Sequence, residues 1–541
     1  MYGGKKLRNK PYPLYSPPEI TDLKEMVNSQ VQKNANKIIF SFSAGRDNIT
    51  NKTYNDVYND VNALGTYLYS YNLKNAHIAI IGENCYEWII TFLAIVNGGN
   101  VAVPIDKEQP PDKIKQLLKQ SDCKAVIASK NAIKNLDDAD IPTFSMNNFP
   151  QFLCKGQELI KNGISEYMDY VIDVDKLAAI FFTSGTTGDS KGVMLSHKNM
   201  AFDINSASKN YSPNGSNLSV LPFHHTYGLM TSVLMGFNYS CPTYINKSLK
   251  HLQKDLQLVK PQTMLLVPLF IETFYKIVID NARKNNKEKK LNTAVKISNL
   301  LLKFGIDLRK KLFKDVLQAF GGNLEYVICG GAPLDQKYVK IFRSWGVSIL
   351  NGYGITECSP VVSVNRNHHW CDGSAGLVID GCEVKISEDK EILVKGNNIM
   401  MGYYNDETAT KQVLNNGWYS TGDLGDIDDN GFLFITGRKK NLIILSNGEN
   451  ISPEGIEAKI LLDEAVSEAV VYGENGLIIV QIFPMKEYLG KTEYFEELIA
   501  RINKNQPQYM KIDRIILRKT EFPKNSAKKI LRHKIMEENY V

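Results

Sequence analysis

Short apolar runs rich in β-branched residues recur along the chain, separated by segments with helical periodicity. The runs lie at residues 77–82, 100–105, 123–129, 177–182, 263–268 and 324–330. A strand of a parallel sheet is covered by helices on both faces, so its sequence is continuously apolar rather than alternating. Parallel strands also need long, usually helical, connections between them. The alternation therefore predicts an α/β fold of parallel-rich sheets covered by helices.

The pattern of predicted secondary structure changes in the last third of the sequence. A chain of 541 residues exceeds what one hydrophobic core supports, so more than one unit is expected. From about residue 375 to 437, short strand-like runs alternate with polar turns, which predicts a small β subdomain. Residues 438–541 then show helix, strand, strand and helix patterns in turn. We predict a large N-terminal domain over 1–437, which includes the β subdomain, and a small C-terminal α+β domain over 438–541.

Charge, cysteines and hydropathy narrow the class of protein. The net charge of +6 is spread along the chain and lacks the concentrated basic footprint of a nucleic-acid-binding protein. Eight scattered cysteines without ligand spacing indicate reduced thiols in a cytoplasmic protein. The basic N-terminus leads into no apolar region, so no secretory signal is expected. The most lipid-like run, 88–105, is interrupted by asparagine and glycine, which favours a helix, a turn and a strand over a transmembrane span.

Residues 281–320 are strongly basic, with eleven Lys or Arg against three acidic residues. Within this stretch, apolar residues of 297–313 occur at helical spacing, which predicts an amphipathic helix. Such a helix is either an ordinary solvated face or a surface for a membrane or an acidic partner. Peripheral membrane contact is therefore one expectation from the sequence.

The loop TSGTTGDSKG, residues 183–192, directly follows the strand predicted at 177–182. Its GxxGxxK spacing differs from the GxxxxGK[ST] of a Walker A loop. Glycines let a backbone approach an oxyanion, hydroxyl groups donate hydrogen bonds, and a lysine adds a point charge. The segment is therefore either a flexible connector or a phosphate-binding loop of another kind.

Three later segments offer further polar groups. In NGYGITECSP, residues 351–360, two glycines flank a tyrosine in a way that suits a purine, and adjacent Thr356 and Glu357 offer oxygen ligands of the kind that Mg²⁺ takes. Asp423, in a glycine-bracketed turn, is placed either to accept hydrogen bonds from ribose hydroxyls or to stabilise its own turn. Lys529 lies in a basic tail, where a lysine is ordinarily solvated. Taken singly, each segment is also typical of a plain turn or chain end.

The order and spacing of these segments resemble the adenylate-forming superfamily of acyl-CoA synthetases, luciferases and peptide-synthetase adenylation domains. Its signatures run in the same order: a phosphate loop, [YF]-G-x-T-E, Y-x-T-G-D, a G-R-x-x-K hinge segment and a terminal lysine. The matching segments here are TSGTTGDSKG, YGITE, YSTGD, GRKKN and FPKNSAKKILR. The resemblance covers nearly the whole chain, and 321–334 and 352–367 are most like long-chain fatty acyl-CoA synthetases.

This resemblance implies a nucleotide site built from several segments. The implied residues are Thr183, Ser184, Gly185, Thr186, Thr187, Gly188 and Lys191 for the β- and γ-phosphates, Gly331, Ala332, Asn351, Gly352, Tyr353 and Gly354 for the adenine cleft, and Asp423 and Arg438 for the ribose. It also implies that Thr356 touches the α-phosphate and that Glu357 holds Mg²⁺. His225, in LPFHHTYGLM, matches the residue that gates the acyl pocket from the thiol tunnel.

The resemblance also implies roles for two lysines. Lys440 matches the hinge about which the small domain rotates, and Lys529 matches the catalytic lysine. The family usually has glycine before that lysine, whereas Lys528 stands here, so the two lysines compete; Ile530 and Arg532 after them favour Lys529. One mobile cation is enough to stabilise the transition state of adenylation, because attack of a carboxylate on the α-phosphorus concentrates negative charge there.

Three functions follow as expectations. The first is a fatty acyl-CoA synthetase that uses ATP and Mg²⁺, forms an acyl-adenylate with release of pyrophosphate, and transfers the acyl group to CoA. The second shares the adenylation step but loads the phosphopantetheine of an acyl carrier protein. The third is an inactive homologue that only binds nucleotide or acyl groups. No Asp lies within 223–232 to pair with an amino group, which weakens an amino acid as the substrate and favours a medium- or long-chain fatty acid.

Overall fold

The computed structural model describes the chain in ten stretches: 14–45, 48–134, 136, 141–184, 190–213, 215–444, 450–474, 476–524, 530–532 and 534–535. Its residues fall into two compact units. The first contains the described residues of Met1–Thr183, Lys191–Glu383 and Lys395–Thr410; the second contains those of Ser184–Ser190, Val384–Val394 and Lys411–Val541.

The strands of the described residues belong to five sheets. In chain order they are β1 Ile38–Gly45, β2 Asn48–Thr53, β3 His77–Ile81, β4 Val101–Ile105, β5 Ala125–Ala128, β6 Thr143–Ser145, β7 Leu177–Ser184, β8 Ser190–Ser196, β9 Asn217–Ser219, β10 Thr243–Ile245, β11 Thr263–Leu266, β12 Tyr326–Cys329, β13 Ser348–Gly354, β14 Val361–Val364, β15 Leu377–Val378, β16 Glu383–Ile386, β17 Glu391–Lys395, β18 Gly402–Tyr403, β19 Leu414–Asn415, β20 Trp418–Ile427, β21 Leu433–Arg438, β22 Ile443–Ile444, β23 Asn450–Ile451, β24 Val466–Glu474, β25 Leu477–Pro484 and β26 Arg514–Leu517.

The α-helices lie mainly between the strands of the two large sheets. They are α1 Leu23–Asn34, α2 Tyr54–Ser70, α3 Tyr86–Val96, α4 Pro111–Gln120, α5 Lys130–Ile133, α6 Phe149–Lys161, α7 Glu166–Asp169, α8 His197–Asn210, α9 Met235–Asn238, α10 Leu252–Val259, α11 Pro268–Lys284, α12 Glu288–Lys303, α13 Arg309–Leu312, α14 Lys314–Ala319, α15 Gln336–Trp345, α16 Glu407–Val413, α17 Pro453–Ile460 and α18 Thr492–Lys504.

The first large sheet has seven strands in the order β18-β8-β7-β4-β3-β5-β6. Neighbours from β7 through β4, β3 and β5 to β6 run parallel. The sequence prediction of buried parallel strands is confirmed here, because β3 and β4 are almost wholly buried. The lipid-like run divides into the buried helix α3 and strand β4. Among the helices of the described residues, none combines the length and apolar character needed to cross a membrane.

The second large sheet has nine strands in the order β15-β14-β13-β12-β11-β9-β10-β1-β2. Its centre is parallel, and antiparallel pairs lie at both edges. The predicted strands β11 and β12 lie at this centre, and Cys329 of β12 pairs with Asn351 of β13. The carboxyl ends of β12 and β13 therefore meet at one edge of the sheet, where ligands of open α/β sheets bind.

The second unit contains small sheets, in agreement with the short strands that the sequence predicts in this region. Strands β16, β17, β20, β19 and β21 form one sheet, and β24, β25 and β26 form another. Helices α17 and α18 pack their apolar residues, such as Ile456 and Phe495, into the core of the latter. The predicted helix, strand, strand and helix of the C-terminal region are confirmed. The predicted boundary between the two domains at residue 438 stays a prediction.

The basic stretch 281–320 differs from the prediction of one amphipathic helix over 297–313. Helix α12 ends at Lys303, and α13 begins only at Arg309. Gly305 adopts φ +78° between them, a left-handed conformation that glycine takes without steric cost and that ends a helix. The apolar residues of this stretch therefore occupy a helix, a turn and a second short helix.

Candidate active site

Glycines line the edge of the nine-stranded sheet where β12 and β13 end. Gly330 and Gly331 directly follow β12, and Gly352 and Gly354 lie in β13. A Cβ at Gly354 would lie 2.1 Å from the carbonyl oxygen of Pro360, so only glycine allows β13 to approach the chain beyond the turn this closely. Bare backbone at this edge leaves room for a flat ligand to approach.

The turn after β13 positions Thr356 and Glu357. It is a single 3₁₀ turn over Thr356–Cys358. The backbone N–H of Met400 donates to the carbonyl oxygen of Glu357 at 2.9 Å, and the hydroxyl of Ser359 donates to the carbonyl oxygen of Asn398 at 2.8 Å. A hydroxyl and a carboxylate thus stand side by side on a turn that the segment 398–400 holds in place.

A tyrosine connects Glu357 with Lys191, the lysine that the sequence predicts to bind phosphate. The hydroxyl of Tyr403 donates to Oε1 of Glu357 at 3.0 Å, and Nζ of Lys191 lies 4.7 Å from the centroid of the Tyr403 ring. The short strand β18 pairs antiparallel with β8, with Tyr403 opposite Val193, and this pairing brings the three side chains together. A cation, a phenol and a carboxylate therefore form one cluster, the Lys191–Tyr403–Glu357 cluster.

The predicted gate residue lies on a turn that contacts Thr356. The hydroxyl of Thr226, next to His225, donates to Oγ1 of Thr356 at 3.4 Å. The ring centroids of His225 and His224 are 4.3 Å apart. Burial lowers the pKa of His224, although the carboxylate of Asp106, 3.7 Å from its Nε2, opposes that shift. The ring of His224, which lies against that of His225, is therefore neutral at neutral pH.

A mainly apolar cavity borders the glycine edge. Its empty space, part of it open to solvent, amounts to about 810 Å³. Its lining includes Gly331, Gly352, Tyr353, Tyr227, Met235 and Ile328. The hydroxyl of Tyr227 donates to the carbonyl oxygens of Leu266 at 3.3 Å and Ile328 at 3.1 Å. Burial raises the pKa of Tyr227, so this hydroxyl keeps its proton.

In the second unit, Asp423 and Arg438 form an ion pair. They lie opposite each other in the antiparallel pair of β20 and β21, and Nε of Arg438 is 2.8 Å from Oδ1 of Asp423. The Asp423 side chain is buried, whereas that of Arg438 is 45% exposed. The backbone N–H of Asp423 donates to the hydroxyl of Thr421 at 3.0 Å. The arginine therefore orients a buried carboxylate, an anionic group that accepts hydrogen bonds.

Comparison with known proteins identifies the family. The family model described as "AMP-binding enzyme" matches residues 27–404. A second, described as "AMP-binding enzyme C-terminal domain", matches residues 440–540. The chain belongs to the AMP-binding enzyme family.

Curated relatives of this AMP-binding enzyme act on fatty acids, according to their names. The long-chain-fatty-acid–CoA ligase FadD15 of Mycobacterium bovis is 28% identical over 427 residues, which are 73% of this chain and 71% of that protein. The long-chain-fatty-acid–CoA ligase 5 of Rattus norvegicus is 28% identical and covers 79% and 70%. A long-chain-fatty-acid–[acyl-carrier-protein] ligase of Arabidopsis thaliana, AEE15, is 28% identical and covers 77% and 70%.

Solved structures confirm the fold. The anthranilate CoA ligase AuaEII in complex with anthranoyl-AMP superposes with a TM-score of 0.78 at 16% identity, covering 96% of this chain and 98% of that one. A fatty acyl CoA synthetase of Mycobacterium tuberculosis superposes with a TM-score of 0.67 at 20% identity, covering 96% and 98%. The predicted α/β architecture with a smaller C-terminal α+β part is therefore the one that AMP-binding enzymes share.

Several residues that the sequence predicts for the nucleotide site meet within the first unit of this AMP-binding enzyme. Lys191 and Glu357 lie in one cluster, and Thr356 directly precedes Glu357. Asn351 lies at the glycine edge, and its Oδ1 is buried without a hydrogen-bond partner among the described residues. Exposed Ala332 follows Gly331. Their individual roles stay predictions.

Other predicted residues lie elsewhere or outside the description. Thr183 and Ser184 end β7. Gly185, Thr186, Thr187, Gly188 and both competing lysines, Lys528 and Lys529, lie outside the described residues. Exposed Lys440 lies in the turn after β21, in Lys439–Asn441.

The residues that flank the two competing lysines are anchored within the second unit. Lys524 and Ile530 pair in an isolated antiparallel bridge. The guanidinium of Arg532 bonds both carboxylate oxygens of Glu457, one at 2.6 Å. Burial raises the pKa of Glu457, and Arg532 opposes that shift. Lys524 also pairs with Glu468 of β24, and Arg532 donates to the carbonyl oxygen of Val471 at 3.0 Å, so both flanks of the lysines are held to the sheet of β24.

Proposed function

We propose that this chain is an acid–thiol ligase that activates a medium- or long-chain fatty acid as its acyl-adenylate. The observation that carries the proposal is the adjacency, within one unit, of the Lys191–Tyr403–Glu357 cluster and an apolar cavity whose lining includes Met235 and Ile328. Through Glu357, in the turn directly after β13, the charged groups suited to a polyphosphate thus neighbour space suited to an alkyl chain.

The reaction has two half-reactions. In the first, the fatty carboxylate attacks the α-phosphorus of ATP, the bond to the β-phosphate oxygen breaks, and pyrophosphate leaves. In the second, a thiol attacks the acyl carbon, AMP leaves, and the thiol proton is released as the thioester forms. No net oxidation or reduction takes place.

The residues of the first unit fit a magnesium nucleotide by their chemistry. Glu357 and Thr356 offer adjacent oxygen donors of the kind that Mg²⁺ prefers. Lys191 offers a point charge for the β- and γ-phosphates, together with the loop that begins at Thr183. When bound, Mg²⁺ would supply charge neutralisation between phosphate oxygens. Asn351, with an acceptor that no described residue uses, is suited to the amino group of adenine.

The second unit would supply the ribose contacts and the catalytic cation. The Asp423 carboxylate, oriented by Arg438, is suited to accept hydrogen bonds from two vicinal hydroxyls. Lys529 would bridge the attacking carboxylate and the α-phosphate as their charge concentrates in the transition state. Lys440 would absorb the backbone rotation between the half-reactions. His225 would separate the acyl cavity from the route by which the thiol arrives.

CoA is the acceptor that we propose. Two of the relatives described above are named as CoA ligases. The alternative acceptor is the phosphopantetheine of an acyl carrier protein, which the name of the Arabidopsis relative supports. Both acceptors present the same thiol arm, so the adenylation step is common to both.

The test is pyrophosphate release across a panel of carboxylic acids, with CoA and an acyl carrier protein supplied as separate acceptors. We expect release that depends on a medium- or long-chain fatty acid, and a thioester that forms with CoA. Thioester formation confined to the carrier protein would replace CoA as the acceptor. The absence of acid-dependent release with every acid would identify an inactive homologue.

A further inference from the structure

Helix α12 exposes a row of apolar side chains on its outer side. Ile297 is 48% exposed, Leu300 is 55% exposed, and Phe304, which directly follows the helix, is 73% exposed. Their spacing of three and four residues places them on one face. Isolated exposed apolar residues are ordinary, but a contiguous row on one helix face indicates an interaction surface.

This row is not the face by which the helix packs onto the protein. Leu291, Ala294 and Val295 pack against the core of the nine-stranded sheet, and Ser298 is buried. These positions lie on the side of α12 opposite Leu300. The helix therefore has two apolar faces. The inner face packs against the protein core, and the outer face is exposed to solvent.

Lysines flank the exposed row. Lys289, Lys290, Lys296 and Lys303 are all exposed, and no carboxylate pairs with them among the residues that the structure describes. The acids nearby are already paired: Glu288 bonds Arg283 at 3.1 Å, and Asp307 bonds Arg309 at 2.7 Å. The outer face of α12 is thus positively charged around an apolar centre.

The surface continues beyond the helix. Ile306, Leu308 and Leu312 are 47%, 39% and 40% exposed, and Lys310 and Lys311 beside them are exposed as well. Large apolar side chains interleaved with lysines over 289–312 match a surface that lies at the boundary between lipid headgroups and acyl chains. The apolar side chains extend over a helix, a turn and a second short helix, and a lipid surface accommodates such a set without a complementary shape.

We propose that the outer face of 289–312, the α12 surface, docks this protein onto a bilayer that contains anionic lipids. The lysines contact lipid phosphates, and Ile297, Leu300 and Phe304 insert among the headgroups. A surface of this kind places the unit that holds the apolar cavity next to a source of fatty acid. Binding itself needs neither ATP nor acid, so it does not depend on the proposed function.

The experiment measures co-sedimentation of the full chain with vesicles of phosphatidylcholine alone and of phosphatidylcholine with phosphatidylglycerol. We expect binding only to the anionic vesicles, and weaker binding as salt is raised. The variant Lys296→Glu/Lys303→Glu should bind at least about 25-fold more weakly, since each lysine near an anionic surface contributes about fivefold. The variant Leu300→Ser/Phe304→Ser should bind about tenfold more weakly because the apolar insertion is lost.

Matched control variants lie elsewhere on the same unit. Lys155→Glu/Lys161→Glu changes two exposed lysines of helix α6, and Ile164→Ser/Val171→Ser changes two side chains that are 46% and 84% exposed. Both controls should bind within about twofold of the unchanged protein. All four variants should keep their melting temperature and their adenylation rate with a soluble acid, which shows that they fold.

Three outcomes would overturn the proposal. One is failure of the unchanged protein to bind anionic vesicles. Another is a loss of binding in the controls equal to the loss in the α12 variants. The third is unchanged vesicle binding by Lys296→Glu/Lys303→Glu together with lost acylation of an acyl carrier protein, which would assign the surface to an acidic protein partner.

Discussion

Tyr403→Phe removes one hydroxyl from the Lys191–Tyr403–Glu357 cluster and leaves the ring beneath Lys191 in place. The lost hydrogen bond to Oε1 of Glu357 is 3.0 Å long and has an ionised acceptor, for which the net contribution is about 1.5–3 kcal/mol. Glu357 is partly exposed to solvent, so we expect the lower end of that range. A loss of about 1.5 kcal/mol corresponds to about a tenfold fall in kcat/KM for adenylation.

The assay is single-turnover formation of the acyl-adenylate, measured over a range of Mg²⁺ concentrations. Because the hydroxyl orients a carboxylate assigned to the metal, the loss should be largest at low Mg²⁺ and should shrink as Mg²⁺ is raised. Tyr404→Phe is the matched control: its hydroxyl donates to Asp122 at 2.8 Å, outside the cluster. Equal rates for Tyr403→Phe and the unchanged protein, or equal losses in the two variants, would refute the reasoning.

Three further predictions concern catalysis, motion and stability. Lys529→Ala should slow adenylation by about 100-fold or more while leaving thiol transfer from supplied acyl-adenylate intact, and a larger loss in Lys528→Ala would reassign the role. Lys440→Pro should retain adenylation and lose thioester formation, because proline fixes φ; equal loss of both half-reactions would count against a hinge. Burial lowers the pKa of His197, which accepts from the N–H of Leu23 at 3.3 Å. Below about pH 6.5 the unfolded state therefore binds more protons at this position than the folded state does. As the pH is lowered further, the free energy of unfolding should fall by up to about 1.4 kcal/mol for each pH unit. His197→Asn should flatten that dependence in denaturant titrations, and an unchanged slope would contradict it.

The large sheets follow from the sequence because their signal is local. Each apolar run, such as 77–82 or 324–330, carries its own β-branched composition and the continuous apolar pattern that burial on both faces requires. The C-terminal helices α17 and α18 likewise follow from local periodicity. The basic stretch departs from its prediction at Gly305 because hydrophobic spacing continues across a glycine that the backbone uses to turn.

The site is harder to predict because its contacts join distant positions. Tyr403 reaches Glu357 across 46 positions, and it reaches Lys191 only because the two-residue strand β18 pairs with β8. A two-residue strand gives no periodic signal. The segment MGYYND, residues 401–406, contains a glycine before two tyrosines, and this is a weak local indication of the Tyr403 contact. The ion pair of Asp423 and Arg438 likewise depends on the register of β20 with β21.

Exchange of labelled pyrophosphate into ATP tests the central claim most directly, because it reports formation of an acyl-adenylate without any thiol acceptor. The purified full chain is incubated with ATP, Mg²⁺, labelled pyrophosphate and one saturated fatty acid at a time. We predict that label enters ATP only when a medium- or long-chain acid is present, and that Lys529→Ala abolishes the exchange. Exchange that is independent of the acid, or nucleotide turnover to ADP rather than AMP, would contradict the account.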